Sequence, residues 1–373
     1  MFIKLEELLD HHNQKPIQFY KEHPIYIYGT GTVSQVVYQV LASKGLDVKG
    51  FIDHNHRESP IKGVPTFKPE TISLSERGSA LVILAIHNYQ VDMHTLMSGL
   101  TAMGYGNLVT MIDLYDHFAL ELGERYWLMG RSFYKKYKSQ IDETESLWDD
   151  EVSRDIYAKT LEFRVTANYS LLPKPDLTHC YFPNDIPPWI QPIRLIDCGA
   201  YDGNTVDDFI KNGYSLSAVI VFEPDLINYP KIVKYFQKQL QIISEVSLWP
   251  CGVYSRSAQL SFAEGRGAAS GISKNGNTII QCVALDDALP NFRPTLIKMD
   301  IEGAELDALQ GTERIITKYH PGLAVSVYHT PTHLWEIPLW ISQFAKKHGI
   351  HYTFHLRAHA YNSFDTVFYA IPF

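Results

Sequence analysis

Apolar positions along the 373-residue chain fall into two series of short continuous runs, separated by stretches of helical period. The first series opens at Pro24. "PIYIYGTGTVSQVVYQVLASKGLDVKGFID" predicts strand, glycine-rich turn, helix and strand, a complete βαβ unit. After a "GVPTF" turn, "SALVILAI" is apolar at every position, as in a parallel strand buried on both faces. A helix around Tyr89 to Met103 and a strand at "NLVTMID" finish a small α/β block near Asp113. From His117 to about Ala167 the pattern is helical, rich in charge, Tyr and Trp, with no strand signal. "LLPKPDLTHCYFPNDIPPWIQP" then crowds proline and aromatic residues into an extended crossing.

The second series starts after Pro192. "IRLIDCGAYDG" reads as strand and turn, Thr205 to Asn212 as helix, "SAVIVFEPD" as strand and Leu226 to Leu240 as helix. "VSLWPCGVYS" and "AQLSFAE" add strands around a third position, and "NTIIQCVALDDAL" another. "TLIKMDIEGAELDALQGTERIITKYHP" is strand then helix, "GLAVSVYH" a further strand and Trp335 to His348 a helix. "IHYTFHLRA" with "DTVFYAIP" closes as an antiparallel pair. Alternating strands and helices predict a doubly wound parallel sheet, here with a terminal hairpin. The boundaries fall at 1–115 for the first α/β domain, 116–191 for a helical connector and extended crossing, and 192–373 for the second domain.

Composition narrows the partners. At 45% hydrophobic and 20% charged the chain is that of an ordinary globular protein. A net charge of -8 argues against non-specific binding to nucleic acid or anionic membrane, both of which need basic surface. The opening "MFIKLEELLDHHNQ" has an acidic amphipathic helix pattern rather than that of a leader, and no apolar run approaches the length of a bilayer crossing. Four cysteines, Cys180, Cys198, Cys251 and Cys282, show neither a disulfide framework nor metal-ligand spacing. A cytoplasmic protein with small-molecule partners is expected, with self-association open.

In an open α/β sheet, ligands bind at the carboxyl ends of the strands, where connections diverge to opposite faces. In "DCGAYDGNT", Asp197 ends a strand, Gly199 and Gly203 allow a tight turn, and Thr205 can help to start the helix. Asp202 stands where a pyrophosphate would lie, which favours a neutral or cationic ligand. Considered alone, the turn is equally a plain strand-helix corner. In "VFEPD", Glu223 has the place of an acid that grips the two hydroxyls of a ribose, and Pro224 fixes the next turn. "LIKMDIEGAELDAL" gathers Asp300, Glu302 and Glu305 where a strand gives way to a helix. Glu305 falls in the first helical turn, where the helix dipole explains an acid. The ordered ends describe an adenosine ligand without a phosphate near its ribose, such as S-adenosylmethionine, whose sulfonium is a cation.

"LIDCGAYDGNT", "VFEPD", the Trp249–Val253 stretch, "LDDAL" and "IKMDIEGAELDALQG" resemble, in order, the motifs of the FkbM family of S-adenosylmethionine-dependent methyltransferases. The tail "VYHTPTHLWEIPLWI…YTFHLRAHAYNSFDTVFYAIP" is similar to that family's ending. The likeness covers about Leu195 to Pro372 and implies a class I methyltransferase sheet. It implies that Asp197, Gly199, Ala200 and Gly203 line the methionine and ribose of the cofactor. Glu223 would hold the ribose hydroxyls, with Pro224 and Asp225 beside the adenine and Cys251, Gly252 and Val253 at its edge. Asp300 would lie beside the methyl group, as base or as the group that orients the acceptor hydroxyl. Family members commonly carry Asn where Tyr201 and Asp202 stand here.

Glu302 and His329 join Asp300 as catalytic candidates. His333 lies four residues after His329, but Pro331 between them opposes a regular helix. A structural or substrate-orienting role for His329 stands ahead of metal ligation, so no metal is assigned. A divalent ion among Asp300, Glu302 and His329 is the lesser alternative. "FAEGRGAASGISKNGNT" suits a lid with Arg266 or Ser270 as contacts, or a simple hairpin, and Arg357 and His359 are further substrate candidates.

In the first domain, Gly29, Gly31 and Ser34 of "YIYGTGTVSQ" resemble a G-x-G-x-x-G turn, and Asp53 ends the next strand as a nucleotide site requires. With "FID" and "GVPTF", this domain is similar to the N-terminal domain of bacterial sugar O-acyltransferases. That likeness implies two Rossmann-like domains in all, and either a nucleotide or nucleotide-sugar site or a retained scaffold. The resulting expectation is O-methylation of a sugar, glycan or natural-product precursor. The rival readings are an NAD(P)-dependent oxidoreductase and a non-catalytic nucleotide-sugar binding protein, both built on "GTGTVS".

Overall fold

The computed structural model describes residues 7–9, 21–239, 242–265, 270–273 and 276–373. The expected N-terminal helix and Arg266 fall wholly or mostly outside these residues. Two compact units are distinguished. One comprises Met1–Asp142, Asp155–Pro175 and Ala360–Phe364, the other Glu143–Arg154, Asp176–His359 and Asp365–Phe373.

The first unit is built on β1 (Ile25–Tyr28), β2 (Val48–Ile52), β3 (Thr66–Phe67), β4 (Leu81–Leu84) and β5 (Asn107–Val109). They pair in the order β3-β2-β1-β4-β5, with every neighbouring pair parallel. The residues of β1 and β4 are all buried, which is why these runs carry no polar alternation. Helix Thr32–Ser43 follows β1 and buries Ser34, Val37, Val40 and Leu41. The helical stretch starts earlier than His117: Met111–Leu122 is opened by a Thr110–Asp113 capping box, which ends the strand at Val109, and Lys138–Glu145 and Glu151–Thr166 follow.

The second unit contains β6 (Ile193–Cys198), β7 (Leu216–Phe222), β8 (Glu245–Trp249), β9 (Gly252–Val253), β10 (Ala258–Ala263), β11 (Gly271–Ile272) and β12 (Thr278–Val283). These are followed by β13 (Leu296–Met299), β14 (Gly322–Ser326), β15 (Tyr352–Ala358) and β16 (Thr366–Pro372). Seven of them form one sheet in the order β8-β7-β6-β13-β14-β16-β15, with β16 antiparallel to both neighbours. Successive strands run outward from β6 to β8 and, in the other direction, from β13 to β14. The topological switch therefore lies between β6 and β13. The architecture is the doubly wound one that the alternating pattern predicts.

The sheet's core joins Leu195, Val219, Val221, Leu296, Ala324 and Tyr369 to Phe209, Ile232 and Phe236 from the flanking helices. Each Val, Leu, Ile or Phe among them contributes about 1.5–3 kcal/mol through burial. Part of the proline-rich crossing belongs to this core. Trp189 is buried, its Nε1 donates to the Tyr181 carbonyl at 2.7 Å, and a Cβ on Gly322 would stand 2.5 Å from its ring.

One expectation changes. Of the strands placed around a third position, only β8 joins the main sheet. β9 to β12 form a separate four-stranded sheet in the order β11-β10-β12-β9. The cause is legible in β12, whose burial alternates where that of β13 is complete. β12 leaves Ile279 and Gln281 exposed, so it is covered on one face only, unlike β13.

Candidate active site

The turn after β6 and the end of β13 approach so closely that one of them must lack a side chain. Gly199 has φ +79°, and a Cβ there would lie 1.9 Å from the Asp300 carbonyl oxygen. Beneath this contact Asp197 pairs in register with Lys298 of β13. Both are buried, and Lys298 Nζ lies 3.0 Å from Asp197 Oδ1 and donates to the Gly199 carbonyl at 2.5 Å. Burial pulls the ammonium pKa down, but Asp197 and Asp300 outweigh it and the net direction is up. Asp197 was expected to line a ligand. Its side chain is fully covered, so it reaches a ligand only through the turn it fixes. Lys298 was missed, although a lone lysine in the apolar run "LIKM" was its signal.

Glu223 ends β7 and is 5% exposed. Its Oε2 accepts from the Tyr201 N–H and its Oε1 from the Asp225 N–H, both at 2.9 Å, which ties the two strand-end turns together. Burial pushes its carboxyl up to about 7, against the pull of those two bonds. Ala200 is buried, Gly203 takes φ +88° as it opens helix Asn204–Lys211, and Tyr201 takes φ +52°. The helix thus starts from a left-handed Gly203 rather than from Thr205. Asp225 is buried and holds the glycine-rich segment, accepting from the Gly265 N–H at 3.0 Å and the Ser270 hydroxyl at 2.6 Å. Ser270 is therefore an anchor of that segment. Pro224 is half-buried, while Cys251 is buried just before β9 and Gly252 and Val253 are buried within it, at the edge of the small sheet.

Beyond β13, Glu302 and Gly303 both have positive φ, +56° and +106°. This tight turn reverses the chain into helix Glu305–Gln310. Glu305 is not the solvated first-turn acid that its position predicts. It is fully buried and accepts from the Ile301 N–H at 2.9 Å and the Gly303 N–H at 3.1 Å. Its Oε1 lies 2.7 Å from His329 Nδ1 and its Oε2 3.2 Å from His333 Nδ1. His333 opens helix His333–His348, and His329 precedes it in the loop after β14, in keeping with Pro331.

His329 Nε2 faces Asp300 Oδ1 at 3.3 Å and Glu302 Oε1 at 3.4 Å. Burial opposes charge on this imidazole, but Glu305 and Glu302 overcome it and raise its pKa well above the ordinary value. Burial likewise raises Glu302, against the pull of His329. Tyr181 donates to Asp300 Oδ2 at 2.9 Å. Asp365, half-buried beside this cluster, is pushed up to about 6 by burial and by Asp300. Gly271 of β11 closes against Glu302, where a Cβ would stand 2.7 Å from that of the acid.

The strand ends of the second unit thus collect Gly199, Glu223, Asp300, Glu302 and His329 around the switch between β6 and β13. Residues 197–360 match the family model described as Methyltransferase FkbM domain. Residues 197–360 are thus similar to FkbM methyltransferase domains. A solved structure, methyltransferase FkbM from Methylobacillus flagellatus KT, matches with a TM-score of 0.76 at 19% identity. The match covers 98% of this chain and 92% of that one, and shows a shared fold. Precorrin-6y C5,15-methyltransferase from Geobacter metallireducens GS-15 reaches a TM-score of 0.28 at 12% identity over 48% of this chain and 78% of that one, too slight to bear on the fold. No curated protein matches the sequence.

Two candidates lie apart from this cluster. Arg357 is buried, with its guanidinium on Asp185 at 2.9 Å, Asp150 at 3.3 Å and the Ser153 hydroxyl at 2.8 Å. His359 is buried with its ring nitrogens on the Asp176 carbonyl at 2.8 Å and the Tyr369 hydroxyl at 2.7 Å. Both knit the fold together rather than address a substrate. Asp150, Asp176 and Asp185 lie too far away in sequence for local pattern to reveal.

In the first unit, Gly29 (φ +104°) and Gly31 follow β1, and Asp53 follows β2. Asp53 is buried, accepting from the Thr30 hydroxyl at 2.8 Å and the Asn55 N–H at 2.7 Å. Ser34 lies beneath the turn, its Oγ 3.1 Å from where a Gly29 Cβ would be. Among the described residues no helix is long and apolar enough to cross a membrane.

Proposed function

We propose that the FkbM domain transfers a methyl group from S-adenosylmethionine to a hydroxyl oxygen of a sugar, glycan or natural-product precursor in the cytoplasm. The observation that carries this reading is the placement of two acids, Glu223 after β7 and Asp300 after β13, on either side of the glycine turn of β6. Glu223 receives the two ribose hydroxyls. Gly199, Ala200 and Gly203 allow the methionine and ribose to approach the backbone, and Asp197 with Lys298 keeps that turn in place. Pro224 and Asp225 lie along the adenine, with Cys251, Gly252 and Val253 at its edge. The acids after β13 favour the cationic sulfonium electrostatically.

In the chemical step an acceptor oxygen attacks the methyl carbon, the carbon-sulfur bond breaks in line, and the sulfur leaves as a neutral thioether. The hydroxyl proton is lost toward the carboxylates, with Asp300 as the group that orients the acceptor and His329 and Glu302 beside it. Positioning and exclusion of water supply most of the acceleration. The turn of Gly29, Gly31, Ser34 and Asp53 is the place for a nucleotide or nucleotide-sugar in the first unit, in keeping with a sugar acceptor. Calorimetric titration with S-adenosylhomocysteine tests the reading. Wild type binds, and Glu223→Ala loses about 1–3 kcal/mol of binding free energy. Equal affinities reject the ribose assignment.

A further inference from the structure

Three side chains from two neighbouring strand ends meet in the second unit in a way that charge alone does not require. One ligand atom each from Asp300, Glu302 and His329 lies within 4.8 Å of the other two. The separations from His329 Nε2 are 3.3 Å to Asp300 Oδ1 and 3.4 Å to Glu302 Oε1. Adjacent ligand atoms about 2.1–2.4 Å from an octahedral ion are separated by roughly 3.0–3.4 Å. The two separations from His329 are therefore those of adjacent ligands in such a shell.

Their orientation is fixed from behind. His329 Nδ1 is held by the buried Glu305, and Asp300 Oδ2 by the Tyr181 hydroxyl. A carboxylate on the far nitrogen of an imidazole is the arrangement that aims the near nitrogen at a metal. A separate observation points the same way. Asp300 Oδ1 is covered and has no hydrogen-bond donor, the polar atom that it faces being His329 Nε2 at 3.3 Å. The side chains of Asp300 and Glu302 remain 26% and 16% exposed, so an ion has a route in from solvent.

We propose that Asp300, Glu302 and His329 bind one divalent cation of the Mg2+ or Mn2+ kind, with its open positions turned toward the acceptor. This rests on the methyltransferase reading for its consequence. An octahedral ion with three protein ligands keeps adjacent positions open for two neighbouring oxygens of a substrate, so the acceptor class narrows to vicinal diols and α-hydroxy acids. Asp300 then addresses the acceptor hydroxyl through the ion, which lowers the pKa of that hydroxyl and lets its proton leave to solvent.

Mn2+ is the probe. The full chain is stripped with EDTA and titrated with Mn2+, bound ion being read by electron paramagnetic resonance without any cofactor. One site per chain is expected, displaced by Mg2+ and weakened at least roughly tenfold in His329→Gln and in Glu302→Gln. Spin-echo modulation from a bound imidazole nitrogen is expected in wild type and absent in His329→Gln. Glu305→Gln keeps all three ligands and is expected to weaken binding about 10–100-fold. Unfolding curves establish that each variant folds, and where one does not, the nitrogen modulation of wild type decides. No saturable Mn2+ site, or one that the variants leave unchanged, overturns the proposal. S-adenosylhomocysteine is titrated into the stripped protein in parallel. Its binding without a Mn2+ site overturns the cation alone, whereas a Mn2+ site without its binding overturns the methyltransferase reading.

Discussion

Glu305 and His329 are bound to each other in the interior of the second unit, Oε1 to Nδ1 at 2.7 Å, and both side chains are almost wholly covered. The backbone N–H groups of Ile301 and Gly303 donate to the same carboxylate, so Glu305 also shapes the turn that carries Glu302. Removing one partner of such a pair leaves an uncompensated buried charge. Glu305→Leu is expected to cost about 3–5 kcal/mol of unfolding free energy. Urea unfolding measures it, and a loss below about 1 kcal/mol would show the pair to be incidental.

Lys298 and Asp197 make the second buried pair. Lys298→Met is expected to destabilise by about 3–5 kcal/mol, because Asp197 is left charged and covered. Adding Asp197→Asn to Lys298→Met recovers part of that loss, since the stranded charge is gone. A double variant no more stable than the single one would contradict the pairing.

Two glycines offer a controlled comparison. Gly199→Ala places a Cβ 1.9 Å from a backbone oxygen at φ +79°, so β6 and β13 must separate. It is expected to abolish S-adenosylhomocysteine binding and to lower the melting temperature. Gly31→Ala meets nothing within 4 Å at φ -81° and is expected to leave both unchanged. Equal behaviour of the two variants would show that the close approach at Gly199 is not required.

Glu223 sets a pH dependence. Its folded pKa of about 7 lies above the ordinary 4.5, so the folded state binds more protons than the unfolded state between those values. Stability therefore falls as pH rises from about 4.5 to about 7, by an amount on the order of 3 kcal/mol. Ligand binding runs the other way, because the ionised carboxylate is the better acceptor for two hydroxyls. Affinity for S-adenosylhomocysteine is expected to rise roughly tenfold between about pH 6 and about pH 8, and Glu223→Gln to flatten the profile. A flat wild-type profile would count against the assignment.

Much of this was legible in the chain. The continuous apolar runs "SALVILAI" and "TLIKM" marked buried parallel strands, and acids at the ends of "VFEPD" and "IKMDIEG" marked the edge where ligands bind. What stayed hidden was pairing across distance. Glu305 looks like a solvated first-turn acid because its partner His329 is 24 residues away and its burial is decided by packing. Arg357 looked available because Asp150 and Asp185 come from elements 207 and 172 residues earlier. The separate small sheet was hidden as well, because "TIIQCV" shows no polar alternation and Ile279 is exposed only by the fold around it.

The most direct measurement is a crystal structure of the full chain grown with S-adenosylhomocysteine. The expected result is one molecule at the carboxyl ends of β6, β7 and β13, with both ribose hydroxyls on Glu223 and the sulfur on the side of Asp300. A molecule lodged at any other place on the chain, or bound with its ribose away from Glu223, would contradict the central claim.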